Sequence, residues 1–156
     1  MQKITTFLWF DRQAEEAAKY YTSIFKDSRI SAVSHYGENM PLPKGTVMTV
    51  SFTLAGQEFM ALNGGPQFKF TEAISLMVNC ENQQEIDYFW EKLTSGGGQP
   101  IECGWLKDKY GLFWQIVPAA LGEMMQGDQA RFDRMMAAVM KMKKLDAAEL
   151  KKAYDG

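Results

Sequence analysis

The densest run of chemically able side chains is Cys103 to Pro118, CGWLKDKYGLFWQIVP. It holds a thiol, two tryptophans, a charged turn and an amide. Four side chains are candidate nucleophiles: Cys80, Cys103, Ser75 and Thr6. Cys103 is the better one, because Gly104 follows it and Lys107 is close enough in sequence to favour the thiolate. The competing reading of a lone cysteine is a small packing residue. A nucleophile also needs a base, and the chain has a single histidine, His35. It alternates with Val33 and reads either as a base or as an ordinary surface or core side chain. Without a second histidine no His-Cys-Asp arrangement assembles, and a multi-histidine metal site within one chain is excluded. Binding is better supported. Strand alternation sets Trp105, with Trp9 or Trp114, beside Ser75, Met77, Asn63 and Gln115. A few polar groups among aromatic rings describe a small-molecule site. The alternative for the tryptophans is core, preferred for Trp90 and Trp114. The doublet Lys107-Asp108 reads as turn chemistry and a solvated pair.

These residues must be held by strands and helices. Cys103–Pro118 reads as a hairpin: an arm through Gly104-Trp105-Leu106, a turn over 107–111 and a return arm from Leu112 to Val117. Upstream, 4–10 is an apolar strand and Asp11 a cap. The helix over 13–25 buries Ala17, Tyr20, Tyr21, Ile24 and Phe25. Strands follow at 29–36, 45–55 and 58–62, the last two joined by a tight turn. The order then restarts: a strand at 73–80, an Asn82-capped helix over 83–94, the glycines 96–98, and the hairpin. Fifteen residues separate Thr6 from Tyr21, and fifteen separate Ser75 from Trp90. The spacing implies βαβββ twice. Helices covering curved mixed sheets leave alternate strand positions facing a cleft between the modules.

After Pro118 the chain predicts helices at 119–126, 128–144 and 147–154, the last capped by Asp146. The middle one carries a Met-rich stripe, Phe132, Met135, Met136, Val139 and Met140, suited to packing on the domain or on a partner chain. Its basic end, Lys141 to Lys144, is expected to form the cationic last turn of that helix. The domain plan is thus a duplicated unit over 1–118, with halves at about 3–66 and 73–118, and a helical extension over 119–156.

The whole chain limits the function classes. With 156 residues and 46% hydrophobic residues it is long enough for a core and not a disordered chain. A net charge of −2 gives no general pull toward nucleic acid or an anionic membrane. No apolar stretch has the length of a membrane span, and the N-terminus lacks a signal-peptide pattern. Two cysteines outside any CxxC pair fit a reducing cytoplasm.

The two βαβββ halves, together with ALNGGPQFKF (Ala61 to Phe70) and CGWLKDKYGLFWQIVP, resemble the vicinal-oxygen-chelate superfamily of glyoxalases, bleomycin-resistance proteins and dioxygenases. Within it the chain is similar to the PhnB-like group, which often carries the label 3-demethylubiquinone-9 3-methyltransferase. The resemblance covers about 3–118. It implies an α+β fold of tandem modules around a cleft, in which superfamily enzymes hold a divalent metal with His, Gln or Glu. The matching positions are Thr6, Met60, Ser75 and Gln115, the last following an Asp-x-x-Gly match at Asp108 and Gly111. A thioether and two hydroxyls are poor ligands for Mg2+, Mn2+ or Zn2+. The expectation is therefore no metal and no other cofactor. The methyltransferase label lacks support too, since a Gly-rich loop after a first strand is missing and glycines 96–98 follow a helix.

The leading expectation is a cytoplasmic homodimer that binds a small organic molecule, of unassigned identity, through Thr6, Trp9, Asn63, Ser75, Met77, Trp105 and Gln115. One alternative is a metal-assisted or Cys103-dependent enzyme of lyase, transferase or dioxygenase type. Another is a dimeric interaction protein working through the Met-rich tail.

Overall fold

A computed structural model describes all residues, 1–156. The chain forms two compact units, Met1–Lys69 and Phe70–Gly156. The first contains β1 (Thr6–Phe10), α1 (Ala14–Ile24), β2 (Arg29–His35), β3 (Val47–Leu54) and β4 (Gln57–Asn63). Its four-stranded sheet has the order β1-β4-β3-β2, with β1 parallel to β4 and the other pairs antiparallel. The second contains β5 (Ser75–Cys80), α2 (Gln83–Thr94), β6 (Gln99–Pro100), β7 (Trp105–Lys107) and β8 (Phe113–Pro118), in the matching order β5-β8-β7-β6. The architecture is α+β, with two mixed sheets of the same connectivity, followed by α3 (Leu121–Met125), α4 (Gln129–Val139) and α5 (Ala147–Asp155).

In the first unit α1 packs on β3 and β4. Its apolar face, Ala14, Ala17, Ala18, Tyr21 and Ile24, is buried against Leu8, Val50, Phe52, Phe59 and Ala61. Asp11 is not the cap of this helix. Its first turn is satisfied from across the sheet, where the Ala14 amide donates to Asn63 Oδ1 at 2.8 Å. In the second unit the local signal holds: Asn82 accepts from the Glu85 amide at 2.9 Å.

The duplication is real in topology but is shifted by one residue between strand and helix. The buried helix positions Ala17 and Ile24 match Ile86 and Leu93, sixty-nine residues later. The last buried strand positions, Phe10 and Cys80, are seventy apart. Three residues separate Phe10 from Ala14, and only two separate Cys80 from Gln83. Since side chains alternate along a strand, one residue of turn reverses which face a matched position occupies. Thr6 pairs with Phe59, on the face covered by α1, whereas Ser75 pairs with Phe113, on the face away from α2. The two fifteen-residue intervals therefore do not mark equivalent side chains. On the open face of the first sheet it is Phe7, not Thr6, that pairs with Met60.

The extension is part of the second unit's core. Met135, Val139, Leu145 and Leu150 bury Val117 of β8, with Cys103, Leu121, Met124, Phe132, Met136, Met142 and Tyr154 around them. Asp128 and Asp146 cap α4 and α5 through the Arg131 and Glu149 amides. Lys141 to Lys144 do not form the last turn of a helix, because α4 stops at Val139. Beyond it the Met142 and Lys143 carbonyls accept the Cys103 and Gly104 amides, each at 2.8 Å. These are carbonyls past the end of a helix, which no longer have an intrahelical donor.

Candidate functional site

The hairpin that closes the second sheet is anchored by a buried carboxylate. Asp108 is 2% exposed. Its Oδ1 accepts the Tyr110 and Leu112 amides at 2.8 and 3.0 Å, and its Oδ2 accepts the Trp114 indole N–H at 2.9 Å. The turn closes with Gly111 at φ +89 donating to the Asp108 carbonyl. Asp108 is thus not half of a solvated pair with Lys107. Three donors offset the cost of burying its charge, and it fixes the register of β8 against β7. Trp114 is core, as its sequence context predicts, while Trp90 is only half-buried.

That register decides what shares a face. Leu106, Trp114, Ile116 and Cys80 are buried on the side where α2 packs. The opposite, open face presents three rows: Ser75, Phe113 and Lys107; then Met77, Gln115 and Trp105; then Asn79 and Val117. Gln115 Nε2 donates to Ser75 Oγ at 2.9 Å. This leaves the Gln115 carbonyl and the Ser75 O–H directed by that bond. Met77 is 53% exposed beside them, and Trp105 and Lys107 are half-buried. Val117, two residues past Gln115 on the same face, is where the tail cluster covers the sheet. Four of the seven expected ligand-binding residues, Ser75, Met77, Trp105 and Gln115, therefore come together on one face of one sheet.

The other three lie in the first unit and are arranged differently. Trp9 is locked in place, with its indole donating to the Gly65 carbonyl at 2.9 Å and its ring meeting Phe68 edge-on at 4.9 Å. A side chain on Gly64 would lie 2.3 Å from that ring. Asn63 is 3% exposed, and both ends of its amide are used: Oδ1 caps α1, and Nδ2 donates to the Val47 carbonyl at 3.0 Å. The Tyr36 hydroxyl donates to its backbone carbonyl at 2.6 Å. Thr6 faces α1. The motif ALNGGPQFKF is thereby explained as scaffold: Asn63 starts a helix, Gly64 admits an indole, and Gly65 and Phe68 hold it.

Among the candidate nucleophiles, Cys80 is buried, and burial, reinforced by Glu85, pushes its thiol up to about 12. That disfavours the thiolate a nucleophile requires. Cys103 sits at φ +62 and packs with the tail cluster. His35 is exposed at the end of β2. Sequence reasoning misread Asp108 as half of a solvated pair with Lys107. The Asp-x-x-Gly spacing, with Trp114 six residues on, is the signal that points to a buried turn carboxylate.

Nowhere do three or more His, Cys, Asp or Glu side chains converge as a metal site. The register-matched open-face positions offer a ring, a thioether, an alcohol and an amide (Phe7, Met60, Ser75 and Gln115). That donor set does not fit a hard or borderline divalent cation.

The family described as 3-demethylubiquinone-9 3-methyltransferase matches residues 2–117. The chain belongs to this family. A solved family protein from Bacillus cereus, described as a putative 3-demethylubiquinone-9 3-methyltransferase, PhnB protein, is 45% identical. The match covers 74% of this chain and 99% of that one, at a TM-score of 0.68. Two more distant structures share the fold. A Pseudomonas aeruginosa protein is 18% identical over 76% of this chain and 98% of its own, TM-score 0.62. The fosfomycin resistance protein FosX of Listeria monocytogenes, solved with Mn(II) and sulfate, is 14% identical over 81% and 98%, TM-score 0.53. The chain thus shares the fold of these three structures. No curated protein matches the chain. No helix is long and apolar enough to cross a membrane.

Proposed function

We propose that this PhnB-like protein binds a small organic molecule on the open face of its second sheet, without a divalent metal or other cofactor. The supporting observation is the Gln115–Ser75 hydrogen bond on that face, flanked by Met77 and Trp105. A preset amide-hydroxyl pair beside an aromatic and a thioether surface is the composition of a small-ligand site. This reading leaves out Asn63, whose amide is spent on the scaffold, and Thr6, which faces α1. The tail is not the working surface in this reading, since its Met-rich stripe is used inside the second unit. Free Cys80 and Cys103 suit a reducing cytoplasm, and we propose a homodimer there.

Saturation-transfer NMR with a panel of neutral aromatic amides and alcohols tests the binding reading. Bound compounds should shift the Trp105 indole resonance and weaken in Gln115→Leu. Compounds indifferent to that substitution, or a panel with no binder, would overturn it. Metal analysis of the purified protein, with titration of Mn2+, Zn2+ and Ni2+, tests the rest: a stoichiometric ion held would sink the metal-free reading. Light scattering on the eluted peak reads the dimer directly.

A further inference from the structure

We infer that the ligand of this face is a small anion with an apolar body, and that Lys107 receives its charge. The inference rests on the binding reading above and names the ligand class. Lys107 stands in the same row as Ser75 and Phe113, and diagonally from Gln115 across the β7–β8 pair. Diagonal neighbours of this kind have Cβ atoms about 7–8 Å apart, within the span of one ring and a short linker.

Three observations carry the charge preference. The carboxylate next in sequence, Asp108, is turned to the other side of the sheet, and its oxygens are occupied by Tyr110, Leu112 and Trp114. Lys107 itself makes no ion pair, unlike Lys144, which pairs with Asp87 at 2.8 Å. No other charged side chain shares the three rows of this face, where Gln99 is the β6 neighbour of Lys107. Lys107 is half-buried as a residue, in the row of Phe113 and on the same face as Trp105. An anion placed there gains a charge-assisted hydrogen bond, while Gln115 and Ser75 take a second polar group and Trp105 and Met77 pack its body.

The chemistry fits a carboxylate or a phosphate monoester, and the test separates them. Phenylacetate, phenyl phosphate and neutral phenylacetamide are titrated into the full chain at low ionic strength, with the Trp105 indole as the NMR reporter. Phenylacetate should bind about fivefold tighter than phenylacetamide, the size of a partly screened charge contact. That advantage should vanish in Lys107→Gln, persist in Lys107→Arg, and shrink at about 0.5 M salt. Phenylacetamide should bind equally to the native chain and to Lys107→Gln. Equal affinity for acid and amide, or a preference that survives Lys107→Gln, overturns the anion assignment and leaves the binding face standing. If none of the three probes binds, the face is not a ligand site and both readings fall. The larger of the two anionic advantages identifies the natural headgroup.

Discussion

The two units share strand order and helix placement, yet each spends its polar side chains differently. In the first, the amide at the end of β4, Asn63, is buried and caps α1. In the second, the amide in the middle of β8, Gln115, stays on the open face, bonded only to Ser75. The central rows of the first open face are Phe7, Met60 and Ser51, then Trp9, Leu62 and Thr49, with Phe7 52% exposed. The second carries Ser75, Lys107, Gln115 and Trp105. One unit offers mostly apolar surface and the other a polar patch with a cation. The first also folds around its own helix, while the second borrows three helices from the tail. Duplication has kept the scaffold and divided the tasks.

Removing everything after Pro118 should break this comparison most severely. It exposes Val117 and Cys103 and deletes Met135, Val139, Leu145 and Leu150 from the core. Hydrogen exchange should show the second unit losing protection while β3 and β4 of the first retain theirs. Asp108→Ala comes next. It strands the Trp114 indole and two amides in the interior, at a cost of about 3–5 kcal/mol by urea unfolding, with Asp108→Asn losing less. Asn63→Ala strikes the other unit: loss of the cap and of the Val47 bond should cost about 2 kcal/mol and leave the second unit's exchange pattern unchanged.

The smallest effect, read over one pH unit, lies at alkaline pH. The folded Cys80 thiol is held up at about 12, above its ordinary value of 9.0. Below that value both states keep the proton and stability is indifferent to it. Between the two values the unfolded chain gives up the proton that the folded chain retains. Stability therefore falls as pH rises, by at most about 1.4 kcal/mol per unit. Cys80→Ala should flatten this slope in unfolding curves taken above pH 9.

The contents of each unit were legible because they are local. Apolar residues at helical spacing marked α1 and α2, and Asn82 and Asp146 announced their helices with side chains that reach only three residues ahead. What was lost depends on distance or on parity. The cap on α1 comes from a residue forty-nine positions away, so no local signal replaces the mistaken Asp11. Thr6 was paired with Ser75 by counting, and counting fails when one turn is a residue longer than the other. Lys141 to Lys144 looked like a helix end because charge and spacing cannot show that Cys103 and Gly104 claim the backbone there. Lys107 was hidden by its neighbour: two opposite charges in a turn read as a pair until the fold puts them on opposite sides.

The seat of Gly104 beneath the tail has a consequence for the order of synthesis. A side chain at Gly104 would lie 2.9 Å from Leu145 Cγ, so the turn before β7 and the tail meet there without space to spare. The first unit is complete in sequence once Lys69 has been added. The second must wait for Leu145 and Leu150, on the order of ten seconds later at ordinary translation rates. Protease pulses on chains stalled at successive lengths should find β8 cleavable until α5 emerges. During that interval the nascent chain is half finished, with the first unit complete in sequence and the apolar strands of the second still uncovered, and this is the species that chaperones would meet.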